Sequence, residues 1–184
     1  MMLMIQGQRL QQQLETLAEL ARGPEGICRL AYSESFWRSN EYVAGLMRQA
    51  GMEVSTNPVG NVVGTYAGEE AGRIVLGSHI DSVVNAGMFD GCLGVLAGIE
   101  AVRTLHENGI RPRHTIEVAA FAEEEGLVIA GLVGSRAYCG LPPTEIMVER
   151  MEQHGFNQAD FAAARCKSPS DYALELHIEQ GCVL

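Results

Sequence analysis

The chain has 184 residues, of which 47% are hydrophobic and 20% are charged, a composition typical of a globular domain with one sizeable core. Its formal net charge of −10 at pH 7 argues against a nucleic-acid partner, because phosphate binding requires a basic face. No apolar run approaches the roughly 20 residues that span a bilayer, so we expect no membrane partner either.

The N-terminal part of the chain predicts two helices followed by two short strands. Residues 6–22 carry leucines at helical spacing, and a Gly-Pro pair ends that pattern. Residues 35–50 repeat the helical period, with a glycine just past their end. In residues 52–68, apolar and polar side chains alternate, and Asn-Pro and Gly-Asn pairs interrupt this pattern. The segment therefore predicts two strands joined by a turn.

The middle of the chain predicts two buried strands with a helix between them. RIVLGSHID (73–81) is a continuous apolar run that ends in polar residues, as expected for a buried strand that opens onto a site. Residues 93–108 are small and apolar at helical spacing and are closed by Asn-Gly. HTIEVAAFAEEEG (114–126) predicts a second buried strand, and it ends in three glutamates before a glycine.

The C-terminal part predicts helical turns and a last strand. Residues 134–140 fit a short helix or loop, and residues 142–160 fit surface helical turns broken at Gly155. DYALELHIEQGCVL (171–184) predicts a strand that runs to the chain end. Strands that alternate with helices indicate the α/β class, a three-layer arrangement of one sheet with helices on both faces.

Three of the predicted strands end in acidic residues or histidine, in the segments SHID, EEEG and LHIEQG. Ligands of open α/β sheets bind outside the carboxyl ends of the strands. We therefore expect these three segments to converge on one site.

The first of these segments contains a histidine and an aspartate two residues apart. On extended backbone, His79 and Asp81 point to the same side, so the Asp81 carboxylate can accept a hydrogen bond from the ring of His79. Such a partner fixes the tautomer of a metal-binding histidine. A buried histidine capped by a carboxylate, without any metal, is the alternative.

Asp90 lies in a loop just before the predicted helix 93–108. Its carboxylate could bridge two metal ions, which in two-metal hydrolases lie about 3.5–4 Å apart. A helix cap or turn aspartate is the alternative.

Three adjacent carboxylates, Glu123, Glu124 and Glu125, follow the second buried strand. They repel one another unless a cation is near, so one could bind metal while its neighbour acts as general base. A solvated charge run is the alternative. His177 in the last predicted strand is the fourth candidate, although a single histidine there is usually a packed or surface residue.

Taken together, GSHIDSVV, AGMFDG, FAEEEG, GSR and LHIEQG resemble in order and spacing the dinuclear-metal amidohydrolases of the M20 peptidase clan. They are most similar to the branch that contains allantoate amidohydrolase, N-carbamoyl-L-amino acid hydrolase and β-ureidopropionase. The segment LHIEQG after EEEG favours this branch over the aminoacylases and dipeptidases. The resemblance extends from about Ser33 onward.

The resemblance implies two divalent metal ions, either zinc or manganese and possibly cobalt. It implies His79, Asp90 and His177 as the ligands of one ion. Asp90 would bridge to the second ion, which Glu125 also binds. Glu124 matches the general base.

Asp81 matches the residue that orients His79, and Glu123 is an extra carboxylate. The implied reaction is hydrolysis of the ureido or carbamoyl amide of a small molecule by an activated water, with release of ammonia.

The resemblance also implies that residues 1–184 are the N-terminal portion of a zinc-peptidase-like catalytic domain. The lid or dimerisation domain and the rest of the catalytic domain would lie beyond Leu184, so the chain is expected to be truncated and its second metal site incomplete and weak. Substrate-binding residues are not assigned, and full-length members are homodimers. Leu127-Val128-Ile129 replaces a serine, arginine and phenylalanine usual in the family.

Three other functions stay open. An M20 aminoacylase or peptidase differs only in substrate, and a catalytically silent metal-binding module would keep the fold without the activity. A cysteine hydrolase would use Cys92, but no dedicated histidine partner is present, and a small buried cysteine is commoner.

The five cysteines are scattered, odd in number and without a CxxC pair; they are Cys28, Cys92, Cys139, Cys166 and Cys182. The start of the chain lacks the features of a secretory signal. We therefore predict reduced thiols and a cytoplasmic protein.

Overall fold

A five-stranded mixed sheet forms the centre of the computed structural model, which describes residues 3–181. The helices are α1 (Gly7–Glu19), α2 (Glu34–Gln49), α3 (Cys92–Glu107), α4 (Val133–Tyr138), α5 (Glu145–Met151) and α6 (Gln158–Ala163), with a 3₁₀ turn at Glu152–His154. The strands are β1 (Arg22–Gly23), β2 (Gly26–Ile27), β3 (Glu53–Thr56), β4 (Val62–Tyr66), β5 (Arg73–His79), β6 (Thr115–Phe121) and β7 (Tyr172–Leu174).

The order of the strands places three carboxyl ends at one edge of the sheet. The sheet runs β3-β4-β6-β5-β7, and β5 pairs in parallel with both β6 and β7. The pairs β3–β4 and β4–β6 are antiparallel. Polar residues that follow β5, β6 and β7 are therefore brought close together.

The larger core lies between one face of the sheet and helices α1, α2 and α3. Residues on alternate strand positions, such as Val62, Val118 and Ala120, meet the apolar stripe of α3. Helix α2 begins where the side chain of Ser33 accepts the backbone N–H of Phe36, which satisfies one of the free donors of its first turn.

The opposite face of the sheet is covered by α4, whose Tyr138 packs on Val75 and Ala119. Helices α5 and α6 pack against α4 around Met147, Met151 and Phe161. The predicted three-layer α/β arrangement is therefore confirmed.

The predicted helices and internal strands are confirmed, with shifts of a few residues at their ends. The prediction for residues 171–184 is wrong beyond Leu174, because the chain leaves the sheet there and crosses the start of α3. Residues 182–184 of that predicted strand lie outside the described part of the chain. The two-residue strands β1 and β2 were not predicted.

The prediction of free thiols agrees with the four cysteines that the structure describes: Cys28, Cys92, Cys139 and Cys166 are all free. Cys182 lies outside the described residues. Within residues 3–181, no helix combines the length and the apolar character needed to cross a membrane.

Candidate metal centre

The three polar strand ends converge, as the sequence predicts. His79 is the last residue of β5, Asp90 precedes α3, and His177 follows β7. Asp90 Oδ1 lies 3.7 Å from Nε2 of His79 and 3.2 Å from Nε2 of His177. The carboxylate of Glu124, just after β6, lies 3.8 Å from Nε2 of His79.

His79, Asp90 and His177 form a group that could hold a metal ion. One potential ligand atom from each of them lies within 4.8 Å of the others, and in residues 3–181 they are the one group of this kind. His79 is buried, Asp90 is half-buried and His177 is exposed, so the group is reached from one side only.

Both imidazole rings are oriented by backbone carbonyls. Nδ1 of His79 donates to the carbonyl of Asp81, and Nδ1 of His177 donates to the carbonyl of Ile178, each at 3.0 Å. A carbonyl can only accept, so in the neutral form of each ring the proton is on Nδ1 and the lone pair is on Nε2. Both lone pairs are therefore available on the side of Asp90, as in histidines that bind metals.

The carboxylate of Asp81 does not accept the predicted hydrogen bond from the ring of His79. This carboxylate lies 3.7 Å from Nδ1 of His79 and is not the hydrogen-bond acceptor of that ring. It accepts instead the backbone N–H groups of Glu124 at 3.2 Å and Glu125 at 3.1 Å. Asp81 thus orients His79 through its own carbonyl and the two glutamates through its carboxylate. Burial raises the pKa of this carboxyl.

Two buried carboxylate oxygens at this site have no donor among the described residues. They are Oδ1 of Asp90 and Oε1 of Glu125. Burial raises the pKa of Glu125, and the nearby carboxylates of Asp90 and Asp81 raise it further. Buried acceptors without donors and carboxylates that repel one another are both stabilised by a cation. The residues present therefore fit a divalent metal ion.

Gly91 lets α3 begin directly beside His79. Its φ is +59°, and a Cβ at this position would lie 2.5 Å from both Cδ2 and Nε2 of His79. Any larger residue would therefore collide with the imidazole and would also be strained.

Comparison with known proteins identifies the family. The model of Peptidase family M28 matches residues 61–164, more than half of the chain. The chain belongs to this family. Its curated relatives include an N-carbamoyl-L-amino acid amidohydrolase from Geobacillus stearothermophilus, 42% identical over 98% of this chain and 48% of that protein.

An allantoate amidohydrolase from Bacillus subtilis is 34% identical to this M28 member over 93% of this chain and 45% of that protein. A solved hydantoinase/carbamoylase family amidase from Burkholderia ambifaria has a TM-score of 0.85 at 34% identity, over 98% of this chain and 47% of its own. The chain spans about half the length of the curated relatives it matches. The predicted resemblance to this amidohydrolase branch is confirmed, although the matching family model is described as M28 and not M20.

Glu123, the extra carboxylate of this M28 chain, determines the shape of the loop after β6. It is 1% exposed, and its Oε1 accepts the backbone N–H groups of Val128 at 2.8 Å and Ile129 at 2.5 Å. Burial raises its pKa. Backbone hydrogen bonds to Glu123 therefore fix the segment 127–129, whose residues differ from those usual in the family. Within it, the side chain of Ile129 is buried and that of Leu127 is exposed.

Cys92 is poorly suited to act as the nucleophile of a hydrolase. It is 3% exposed, and burial raises the pKa of its thiol. Its sulfur lies 3.4 Å from Nη1 of Arg29, inside the core. The geometry therefore disfavours the cysteine hydrolase.

Sequence reasoning missed three residues that support the site. Arg29 is buried and bonds to the carbonyl of Ile80, next to His79. Asn61 is fully buried and accepts the N–H of Ala122, just before the glutamates. Gln180 donates from its side-chain amide to Oδ2 of Asp90. Polar residues inside apolar stretches were the one signal available for Arg29 and Asn61.

Proposed function

We propose that this chain is the metal-binding part of a hydrolase that cleaves the ureido or carbamoyl C–N bond of a small molecule, an N-carbamoyl-L-amino acid or allantoate. The observation that carries the metal chemistry is the buried Oδ1 of Asp90, which lies between the Nε2 atoms of two histidines and has no hydrogen-bond donor among the described residues. The substrate class is supported by the activities named for the relatives. The N-terminal position in a larger catalytic domain, homodimerisation and location in the cytoplasm stay predictions.

In this proposal, His79, Asp90 and His177 hold one divalent ion. Asp90 and Glu125 would hold the second and weaker one, since each has a buried oxygen without a donor in the part of the chain that the structure describes. Imidazole and carboxylate ligands suit zinc, manganese or cobalt. The bound ions supply a Lewis acid that polarises the substrate carbonyl and lowers the pKa of water.

Glu124 is the proposed general base. Its side chain is 37% exposed and lies 3.8 Å from Nε2 of His79, so it reaches both the ligands and solvent. There it can accept a proton from the attacking water and deliver it to the departing nitrogen. Asp81 keeps Glu124 in place by accepting its backbone N–H. This makes Asp81 a positioning residue.

The match to a peptidase family favours one second candidate, hydrolysis of an N-acyl amino acid or dipeptide. The two candidates share the same metal ions and the same base. They differ in the group attached to the scissile carbonyl.

The test combines metal binding with hydrolysis. Zinc and manganese titrations should show one tight site in the wild-type chain and in Glu124→Gln. In the full-length protein that contains this chain, ammonia release from N-carbamoyl-L-amino acids or allantoate should be lost in Glu124→Gln and kept in the exposed control Glu149→Gln. Equal rates of hydrolysis in Glu124→Gln and in the wild type would exclude Glu124 as the general base.

Turnover of dipeptides or N-acetyl amino acids alone would favour the peptidase candidate. Tight metal binding by the full-length protein without any turnover would indicate the silent module.

Gly94 gives a separate test of the position of His177. A Cβ on Gly94 would lie 2.3 Å from the carbonyl oxygen of Leu176. Gly94→Ala should therefore displace the segment that carries His177 and weaken zinc binding by about 10–100-fold, the loss typical of a disturbed ligand environment. Titration calorimetry measures the effect.

Gly45→Ala in α2 is the matched control, because nothing lies within 4 Å of its added Cβ. This variant should bind zinc like the wild type and gain about 0.5–1 kcal/mol in stability. Unchanged zinc affinity in Gly94→Ala would remove His177 from the proposed ligands.

A further inference from the structure

A polar cavity lies on the face of the sheet covered by α4, at the end of β5 remote from His79. Its volume is about 190 Å³, and it is lined by residues from β3, β4, β5, β6, α4 and the end of α6 with the segment after it. His79 lies six positions along β5 from Arg73, so the cavity lies about 20 Å from the candidate metal centre.

Arg73 lines this cavity, and its guanidinium group has a hydrogen-bond acceptor among residues 3–181 at Nη1 only. The residue is 8% exposed, and its Nη1 pairs with Oε1 of Glu117 at 2.7 Å. The second carboxylate oxygen of Glu117 accepts the hydroxyl of Tyr138 at 2.5 Å. Nε and Nη2 of Arg73 are both buried and have no acceptor among residues 3–181.

The free Nε and Nη2 groups form one edge of the guanidinium plane. Their N–H bonds run parallel, and this geometry matches two oxygens of a carboxylate or phosphate group. A buried donor without an acceptor is unfavourable, so this edge needs a partner.

The charges that line the cavity itself favour an anion as that partner. They are Arg73, Arg165 and Lys167, against the carboxylate of Glu117, whose two oxygens are already bonded. The carboxylates of Glu53, Glu70 and Asp171 line the adjoining surface cleft and not this cavity. The hydroxyls of Ser55 and Thr65 also line it, and they can donate to an oxyanion.

We propose that this cavity binds a small oxyanion, a carboxylate or phosphate group, on the Nε–Nη2 edge of Arg73. The ion enters past the exposed side chains of Arg165 and Lys167, which lie outside regular secondary structure. The site is independent of the metal centre and of the hydrolysis proposed there.

The test measures thermal unfolding of the metal-free protein, from which chelator has been removed, in sodium phosphate, sodium acetate and sodium chloride at equal ionic strength. Phosphate or acetate should raise the midpoint temperature above that in chloride, with saturation. A response to phosphate alone identifies a phosphate group as the ligand chemistry, and a response to acetate identifies a carboxylate.

Arg73→Lys keeps a positive charge for Glu117 but removes the two-donor edge, and it should weaken the anion response at least about tenfold. Lys167→Ala should weaken it severalfold, whereas the exposed control Arg111→Ala should not. His79→Ala should keep the response, which separates this site from the metal centre.

An unchanged response in Arg73→Lys, or no rise above chloride in the wild type, would overturn the proposal. If Arg73→Lys does not fold, equal responses of Lys167→Ala and Arg111→Ala overturn it instead.

Discussion

Asp90→Asn is expected to weaken zinc or manganese binding by more than about 100-fold, beyond the loss that follows removal of an outer partner of a metal ligand. Asparagine preserves the shape of the side chain, and its oxygen can still accept a hydrogen bond from the side-chain amide of Gln180. With its oxygen bonded to Gln180, asparagine places an amide NH2 group where both histidines face Oδ1 of Asp90, and that group is a donor with no charge and no lone pair for a metal ion. Titration of the metal-free variant with each ion measures the loss.

The same substitution should leave the metal-free protein equally or more stable. Among residues 3–181, Oδ1 of Asp90 has no hydrogen-bond donor, and its charge raises the pKa of Glu125 through repulsion. The carbonyl of Ile178 raises the pKa of His177 and Asp90 raises it further, so the comparison is made at alkaline pH, where the imidazole is neutral and gains nothing from that charge. An asparagine relieves that repulsion, so the urea midpoint should not fall. Opposite effects on metal affinity and on stability are typical of a ligand rather than of a structural carboxylate.

Asp160→Asn is the matched control, since Asp160 belongs to the capping box of α6. Asp160→Asn changes the net charge by the same amount as Asp90→Asn, but it should not alter the affinity for metal ions. Wild-type affinity in Asp90→Asn would exclude Asp90 as a ligand and the proposed bridge with it.

Arg29→Met is expected to destabilise the protein by about 3–5 kcal/mol, because it leaves buried acceptors without donors. Arg29 is 2% exposed and donates to the carbonyls of Leu17 at 2.7 Å and Ile80 at 2.8 Å. Its Nε donates to the hydroxyl of Ser39 at 2.9 Å. One side chain thus joins α1, α2 and the chain that leaves β5. Urea unfolding measures the free energy lost.

The control for Arg29 is Arg38→Met. Arg38 also donates to a carbonyl near the end of α1, that of Leu20 at 3.0 Å, but it is exposed. Water replaces such a hydrogen bond, so the loss should stay below about 1 kcal/mol. A loss for Arg29→Met no larger than that for Arg38→Met would contradict the proposed cross-link.

The sequence was sufficient to predict most elements because their apolar periods are long and clearly interrupted. The leucines of α1 and the apolar run of β5 are local signals of this kind. The strand ends also predicted that His79, the glutamates after β6 and His177 lie close together, since parallel strands bring their carboxyl ends to one edge. Asp90 lies in the loop before α3, and its place in this group followed from the family resemblance. The roles of these residues in metal binding and catalysis stay predictions.

Features that depend on tertiary contacts could not be predicted. The alternation in LELHIE resembles a strand, yet pairing with β5 ends at Leu174 because the chain turns across Gly94. The carboxylate of Asp81 bonds to backbone groups that lie 43 and 44 residues away. No local pattern encodes a partner at that distance.

Residues 175–181 differ from the rest of the site in how they are held. Several of their side-chain contacts with the body of the protein are polar: Ser78 donates to Glu175 at 2.8 Å, and His177 and Gln180 contact Asp90. Most of their side chains are exposed, including that of Leu176. A segment with few apolar contacts opens locally at a lower free energy than the core does. An ion held through His177 would add RT ln(1 + [ion]/Kd) to that opening free energy. The segment's protection from proteolysis and amide exchange would then report the concentration of free metal.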